Sequence, residues 1–498
     1  MTKHDTSVDP RAVRAQLKHP VIDCDSHYTE FAPVFREQFV ETAGWLAGAK
    51  MRDELAAQPD LRSYLLKQTS PMGQAFGSSA WITASPQERR DRWTPMPGWG
   101  PPHGNPLDRA TALLPKLRAE RLDEIGIDFS VLYPSGALFY PHIDRPDLRQ
   151  VACRALNVIN AEAYRAVKDQ MTPAAAIPMS TPEEAIAELE YATTQLGLKV
   201  AMIGSVARPI PSIHRTHPEL YPSVFRLDSF GLDSDHDYDP FWAKCAELKV
   251  PLVSHGTAYA TGFRRSPTNY TFNHAGNFAE AGDVLCRSLF LGGVTRRFPT
   301  LKFQFLECGA GWACMLFAEM VHRWEKRNID AVNSHLEAAR VTAPEFLRLM
   351  EQHGDARIRE KLQDLAHGVK LQLGTENPPD DFEMLQVQSV QEIHDLFVPR
   401  FFFGCEADDL TTSWAFNTRA NPCGARLRAV LGSDMGHWDV PDIRGILPEA
   451  WALVERGLMS EEDFRRFTFE HAGEFFGVNP RFFAGTRIAP YMKQAEAA

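Results

Sequence analysis

The sequence predicts an α/β fold, a distorted (β/α)8 TIM barrel carrying two long insertions. Three observations carry that expectation: eight short apolar, β-branched or aromatic runs, amphipathic helical patterns between most of them, and polar, ligand-type side chains placed just after several runs. Strands alternating with helices imply parallel pairing through right-handed crossovers, and eight repeats allow a sheet to close on itself. Barrels with insertions commonly reach such a length as one unit, so a single domain over residues 1–498 is expected.

The first strand is read at Pro20–Cys24, inside the stretch VIDCDSHYTE that runs from Val21 to Glu30. Side chains two apart on a strand share a face, so Asp25 and His27 can aim at one ion. Taken alone, the same residues also suit a solvated strand end or a cap on the next element. The other strands are read at Phe129–Tyr133, Thr172–Pro178, Lys199–Gly204, Val250–Ser254, Lys302–Leu306, Arg400–Gly404 and Arg428–Gly432. Helical patterns fall at Asp147–Lys168, Thr181–Leu196, Phe241–Leu248, Trp312–Arg327, Glu345–His353 and Val390–Leu396.

Two stretches exceed a minimal barrel. Residues 31–106, after the first strand, are too many for one loop, and their second half is dense in Pro, Gly and Trp, which suits a lid, a pocket wall or an oligomer contact. Residues 328–399, between the sixth and seventh strands, carry amphipathic patterns broken at Pro378–Asp381 and are read as a helical excursion.

A net charge of -11 argues against nucleic-acid or anionic-membrane partners, which select basic surfaces. A small-molecule substrate is expected instead. The N-terminal stretch lacks the apolar core of a signal peptide and no run has membrane-spanning length, so a cytoplasmic location is expected. The eight cysteines form no CxxC pair and sit in apolar segments, which predicts buried free thiols.

Barrel enzymes place their chemistry at the C-terminal ends of strands. There the chain offers Asp25 and His27 after the first strand, Ser254-His255 after the fifth, Glu307 after the sixth, Glu406 and Asp408 after the seventh, and Ser433, Asp434 and His437 after the eighth. Carboxylates and imidazoles are what divalent ions recruit, and a set drawn from Asp25, His27, His255, Glu307 and Asp434 leaves a position for water or substrate.

These residues carry a resemblance. DCDSHYTE is similar to the D-x-D-x-H-x-x-E opening of amidohydrolase-related proteins (amidohydrolase family 2) that group with aminocarboxymuconate semialdehyde decarboxylase in the amidohydrolase superfamily. RLDEIGIDFSVLYPS, DPFWAKCAELKVPLVSHG, GGVTRRFPTLKFQFLECGAGW, LGSDMGHWD and NPRFFAGT follow in the family's order. The resemblance implies that Asp25 and His27 are the first-strand metal pair, His255 the fifth-strand ligand and Asp434 the eighth-strand ligand or base. It also exposes a departure: Asp25-Ser26-His27 stands where well-studied decarboxylases of the group have His-x-His, and Glu307 replaces a sixth-strand His. The exchange adds carboxylate, so Mn or Fe becomes plausible beside the family's usual Zn, and more than one ion can be neutralised.

The expected activity is that of a metal-dependent hydrolase or carboxy-lyase acting on a small carboxylate-bearing substrate. Asp434 is the favoured general base, and Glu307 or His274 moves the second proton. Arg264 and Arg265 can clamp a substrate carboxylate, or form a solvated surface pair. Tyr133, Tyr140 and Tyr259 are candidates to line the pocket, while Glu30 and His437 are read as partners behind the ligands, Glu30 alternatively as a ligand of a second ion. Trp312 and Trp324 are read as core. A homo-oligomer is expected, and a hetero-oligomer is possible. Two rival readings stand beside the first: a dinuclear non-haem Fe or Mn/Fe oxygenase, motivated by the added carboxylate, and a non-catalytic partner of an active paralogue, motivated by the missing His-x-His.

Overall fold

In the computed structural model, which describes residues 8–69, 85, 87, 104–221, 224–256, 266, 268–335, 344–364 and 379–495, all eight expected runs contain strand. They are β1 (Ile22–Tyr28), β2 (Phe129–Pro134), the pair β3 (Met171–Pro173) and β4 (Ala175–Ala176), β5 (Ala201–Ile203), β8 (Leu252–Ser254), β9 (Phe303–Phe305), β10 (Phe401–Glu406) and β11 (Arg428–Gly432). β1 is longer than the sequence suggests and is buried at every position, so Asp25 and His27 lie within it rather than beyond its end. Burial of both faces explains the near-continuous apolar character of the other runs, as in any parallel sheet covered by helices.

Two parallel sheets result, ordered β1-β2-β3 and β4-β5-β8-β9-β10-β11. The expected continuous barrel ladder is therefore interrupted at two places. In the third run, Ala174 N donates to Leu132 of β2 (2.9 Å) whereas Ala175 N donates to Val200 beside β5 (2.8 Å), and Pro173, which has no N–H, precedes the break. Between β11 and β1, contact is made just past the strand, where Ser433 N and Asp434 N both donate to Asp25 O at 2.9 and 3.0 Å.

Asp23 reinforces this second seam. Its buried carboxylate accepts from Ser130 Oγ of β2 (2.8 Å), Ser433 Oγ (2.8 Å), Ser433 N (3.0 Å) and Asp25 N (3.2 Å). One side chain thus joins β1 to its neighbours on both sides.

The intervening helices follow the apolar periodicity closely. Among them are α1 (Ala32–Leu46), α2 (Pro115–Ile125), α3 (Pro146–Ala163), α4 (Pro182–Glu190), α5 (Asp239–Leu248), α6 (Asn277–Leu291), α7 (Gly311–Arg327) and α8 (Val390–Phe397). Thr181 and Ser389 cap α4 and α8 by accepting from the backbone N–H three residues on, as Thr/Ser at a helix start does. An antiparallel hairpin, β6 (Val206–Pro209) with β7 (Phe225–Asp228), follows β5 and has no counterpart in the sequence expectation; nor have α1, α2 and α6.

The described part of the first insertion is helical. Phe35, Phe39 and Ala43 of α1 share one apolar cluster with Val151, Ala152 and Ala155 of α3. Its Trp- and Pro-rich half lies outside the described residues apart from Ser85 and Gln87. In the second insertion, short helices occupy Ile329–His335, Pro344–His353 and Ala356–Glu360 ahead of α8. Phe397 of α8 seats against Phe317 of α7 and Phe401 of β10, with ring centroids 5.2 and 5.0 Å apart. Trp312 packs edge-on to Phe305 and Phe403, and Trp324 also lies against the core, as expected. All eight cysteines are free, but burial is not uniform: Cys423 is exposed, and Cys308 and Cys314 are half-buried.

Candidate metal centre

Six side chains from four strand ends meet at one buried point. Asp25 and His27 come from β1, His255 follows β8, Glu307 follows β9, and Asp434 and His437 follow β11. His27 Nε2 lies 3.3 Å from Asp25 Oδ1, 3.4 Å from Asp434 Oδ1 and 3.8 Å from Glu307 Oε2. Glu307 Oε2 is 3.0 Å from His255 Nε2, and Asp434 Oδ1 is 2.6 Å from His437 Nδ1. The imidazoles of His27 and His437 stack at 4.0 Å, and His255 stands edge-on to His27 at 5.1 Å.

Two overlapping groups have ligand atoms mutually within 4.8 Å: Asp25, His27, His255 and Glu307, and His27, Glu307, Asp434 and His437. Asp25 Oδ1, Glu307 Oε2, Asp434 Oδ1 and both ring nitrogens of His27 and His255 are buried without a hydrogen bond among the described residues. Buried polar atoms are ordinarily satisfied, so convergent unsatisfied oxygens and nitrogens fit a cation's ligand shell.

The backbone is specialised at the same place. Glu307 and Asp434 adopt left-handed conformations, with φ of 55° and 48°. Non-glycine residues held there carry strain that concentrates at functional sites. Gly436 has a φ of 116°, and a Cβ on it would lie 2.2 Å from His27 O.

Across residues 22–358, the chain matches the protein-family model described as Amidohydrolase. The chain belongs to the amidohydrolase family. A curated relative, Decarboxylase orsB of Emericella nidulans, is 29% identical over 185 residues, which are 35% of this chain and 50% of the relative. The chain thus spans about half the length of that curated relative. Among solved structures, 2,6-dihydroxybenzoate decarboxylase from Rhizobium is 14% identical, with 93% of this chain and 99% of that chain covered at a TM-score of 0.48. The 5-carboxyvanillate decarboxylase of Novosphingobium aromaticivorans, complexed with manganese and 4-hydroxy-3-methoxy-5-nitrobenzoic acid, is 14% identical, with 92% and 96% covered at 0.46.

Burial dominates the electrostatics of this amidohydrolase centre. It pushes Asp25 up to about 6 and drives His27, His255 and His437 down to about 3. Glu307 is held well above the usual carboxylate range by burial and then by Asp434, and burial likewise raises Asp434. The imidazoles are therefore neutral, the form that binds metal, whereas burial favours protons on the carboxyls, on Glu307 and Asp434 more than on Asp25, that a cation must displace. Metal uptake is expected to strengthen as pH rises through about 6, where Asp25 ionises, with net proton release. Calorimetric titration with Mn2+ at about pH 5 and about pH 7.5, in buffers of differing ionisation enthalpy, checks this, and a pH-independent affinity contradicts it.

Other residues fall at varying distances from the centre. Tyr133 is buried on β2 with its ring 6.3 Å from His27, and its hydroxyl has no hydrogen-bond partner among the described residues. His274 is outside the cluster: its ring stacks on Tyr270 and stands edge-on to Phe278, which in turn packs against His255. Glu30 accepts from Gly136 N at 2.8 Å and so fastens the loop after β2, not a ligand imidazole. Tyr140 stacks on Phe35 at 5.0 Å in the core beneath the first insertion, rather than lining the centre. Glu406 ends β10 with part of its surface open to solvent, yet burial of its carboxyl and then Asp434 hold it well above the usual carboxylate range, and it in turn raises Glu307. Arg264, Arg265 and Tyr259 lie outside the described residues.

His437, read from the sequence as lying behind the ligands, is instead among the ligand-capable groups. Asp23, which ties Ser130 and Ser433 to β1, and Arg118, whose side chain donates to His27 O and Ser26 Oγ, are contacts of this centre that sequence reasoning missed. Asp23 was visible as the first member of the alternating Asp-x-Asp-x-His, but its partners lie far along the chain. Arg118 lies in an ordinary amphipathic helix, α2, and nothing local marks it.

Proposed function

We propose that the chain is a metal-dependent carboxy-lyase acting on a small carboxylate-bearing substrate, with Asp25, His27, His255, Glu307 and Asp434 as ligands and His437 beside them. The observation that carries this reading is the buried convergence of unsatisfied carboxylate oxygens and neutral imidazoles. The curated relative named as a decarboxylase supports lyase chemistry over hydrolysis. The parallel order of the two sheets, with Ser433 N and Asp434 N bridging β11 to β1 at Asp25 O, supports a distorted barrel as one domain over 1–498, with 31–106 and 328–399 as insertions on it.

A divalent ion held here supplies Lewis acidity that polarises a carboxylate or carbonyl and acidifies bound water. A carboxylate-rich donor set suits Mn or Fe as well as Zn. Asp434 is the proton-moving residue. In decarboxylation the bond from carbon to the carboxylate breaks, its electron pair stays on that carbon, and a proton that Asp434 relays from water completes the new C–H bond as CO2 leaves, hydroxide remaining. In hydrolysis the same carboxylate, ionised, would accept a proton from water, with Glu307 or His274 moving the second proton. Tyr133 offers its phenol to a polar substituent of the substrate, and Arg264 and Arg265 are proposed to clamp its carboxylate.

No helix among the described residues is long and apolar enough to cross a membrane. A cytoplasmic, oligomeric enzyme belongs to the same reading. Metal analysis of protein purified without added metal, followed by CO2-release assays with hydroxylated benzoates before and after chelation, tests it. Stoichiometric metal with chelator-sensitive CO2 release is expected. Failure to retain Zn, Mn or Fe overturns it, and oxygen consumption by a dinuclear form points to the oxygenase alternative.

A further inference from the structure

Arg118 is fully buried, yet among the described residues no carboxylate lies within ion-pairing distance of it. Burying a guanidinium without a paired charge is costly, so the position demands a reason. Its acceptors are all neutral: Nη2 donates to His27 O at 2.5 Å, Nη1 to Ser26 Oγ at 3.0 Å and Nε to Thr111 O at 3.3 Å. The rigid planar fork of arginine can meet these directions together; a lysine cannot.

These contacts lead into the metal centre from behind. His27 N donates to Met435 O at 2.8 Å, and Ser26 Oγ donates to the same carbonyl at 3.4 Å. Met435 sits between Asp434 and His437 in the loop after β11. Gly436 then passes so close that a Cβ would lie 3.3 Å from Arg118 Nη2 as well as against His27 O. Arg118 therefore ties α2 to the end of β1 and, through it, to the loop that presents Asp434 and His437.

We infer that Arg118 is a positioning residue for the metal centre: it fixes the His27 backbone and the adjoining Met435–Gly436 turn so that ligands from β1 and β11 share one ion. The inference rests on the metal-centre reading under Proposed function. Hydrogen-bonding partners behind a ligand typically change metal affinity by about 10- to 100-fold when removed.

The test compares wild type with Arg118→Lys, Arg118→Ala and Ser26→Ala by Mn2+ titration, and by circular dichroism for the fold. A folded Arg118→Ala and Arg118→Lys are expected to bind Mn2+ about 10- to 100-fold more weakly. Low-millimolar guanidinium is expected to restore part of the affinity to Arg118→Ala but none to Arg118→Lys. Ser26→Ala, which keeps the arginine and loses one acceptor, is expected to weaken binding by a smaller factor, and it carries the test if the arginine variants do not fold. Wild-type affinity in Ser26→Ala together with wild-type affinity, or non-rescuable loss, in the Arg118 variants overturns the inference. Absence of Mn2+ binding by wild type would instead overturn the metal-centre reading itself.

Discussion

His255→Ala and Asp434→Ala are each expected to empty the proposed metal centre and abolish the proposed metal-dependent turnover while leaving the fold intact. Both side chains converge on the same buried point: His255 through Glu307, and Asp434 through His27 and His437. The loss should exceed the roughly 10- to 100-fold change typical of residues behind a ligand. Stability should hold, because neither side chain carries the apolar core and removal of Asp434 takes one carboxylate from a crowded acidic cluster. Metal content by mass spectrometry, turnover and circular dichroism check this together. Unchanged metal and activity in both variants would sink the site assignment.

The second large effect is expected at Asp23. Replacing it with Ala removes the acceptor shared by four donors in a fully buried position: Ser433 N and Oγ keep Asp25 O, but Ser130 Oγ and Asp25 N lose their carboxylate partner. Loss of such a network is expected to cost about 3–5 kcal/mol, read as a lower denaturant midpoint in equilibrium unfolding. Asp23→Asn, which keeps an acceptor oxygen, should lose less. Because Ser433 precedes Asp434 and Asp25 N is one of the donors, metal affinity should fall alongside stability. A midpoint unmoved by Asp23→Ala would show that the seam between β1 and β11 is held some other way.

How much was legible follows from the range of each signal. Apolar runs such as Phe401–Phe403 and Arg428–Gly432 announce strands because they are buried on both faces, and residues just beyond them lie at one rim by geometry alone. That suffices to place His255, Glu307 and Asp434 together. The break at Ala174 was not legible, since it depends on which neighbour each N–H chooses. The hairpin β6–β7 was hidden because its Arg- and Pro-containing strands lack clean alternation. Arg118 was hidden because two of its three acceptors, His27 O and Ser26 Oγ, lie 91 and 92 residues away. His437 was placed behind the ligands because spacing along a loop does not reveal that its ring stacks on His27. The family membership fits the expected resemblance, drawn from ordered motifs rather than from any one of them.

The left-handed backbone at Glu307 and Asp434 has a consequence for any attempt to diversify the centre. At both positions a replacement is judged twice, once for what its head group can bind and once for whether its Cβ tolerates positive φ. Asparagine at 434 passes the second filter at little cost while removing charge, so Asp434→Asn isolates the chemistry. Threonine or valine fails both, adding about 1–3 kcal/mol of backbone strain to the lost ligand. A saturation library at these positions should therefore rank its survivors by torsional preference as well as by polarity, with glycine and asparagine retained in folded protein far more often than β-branched residues.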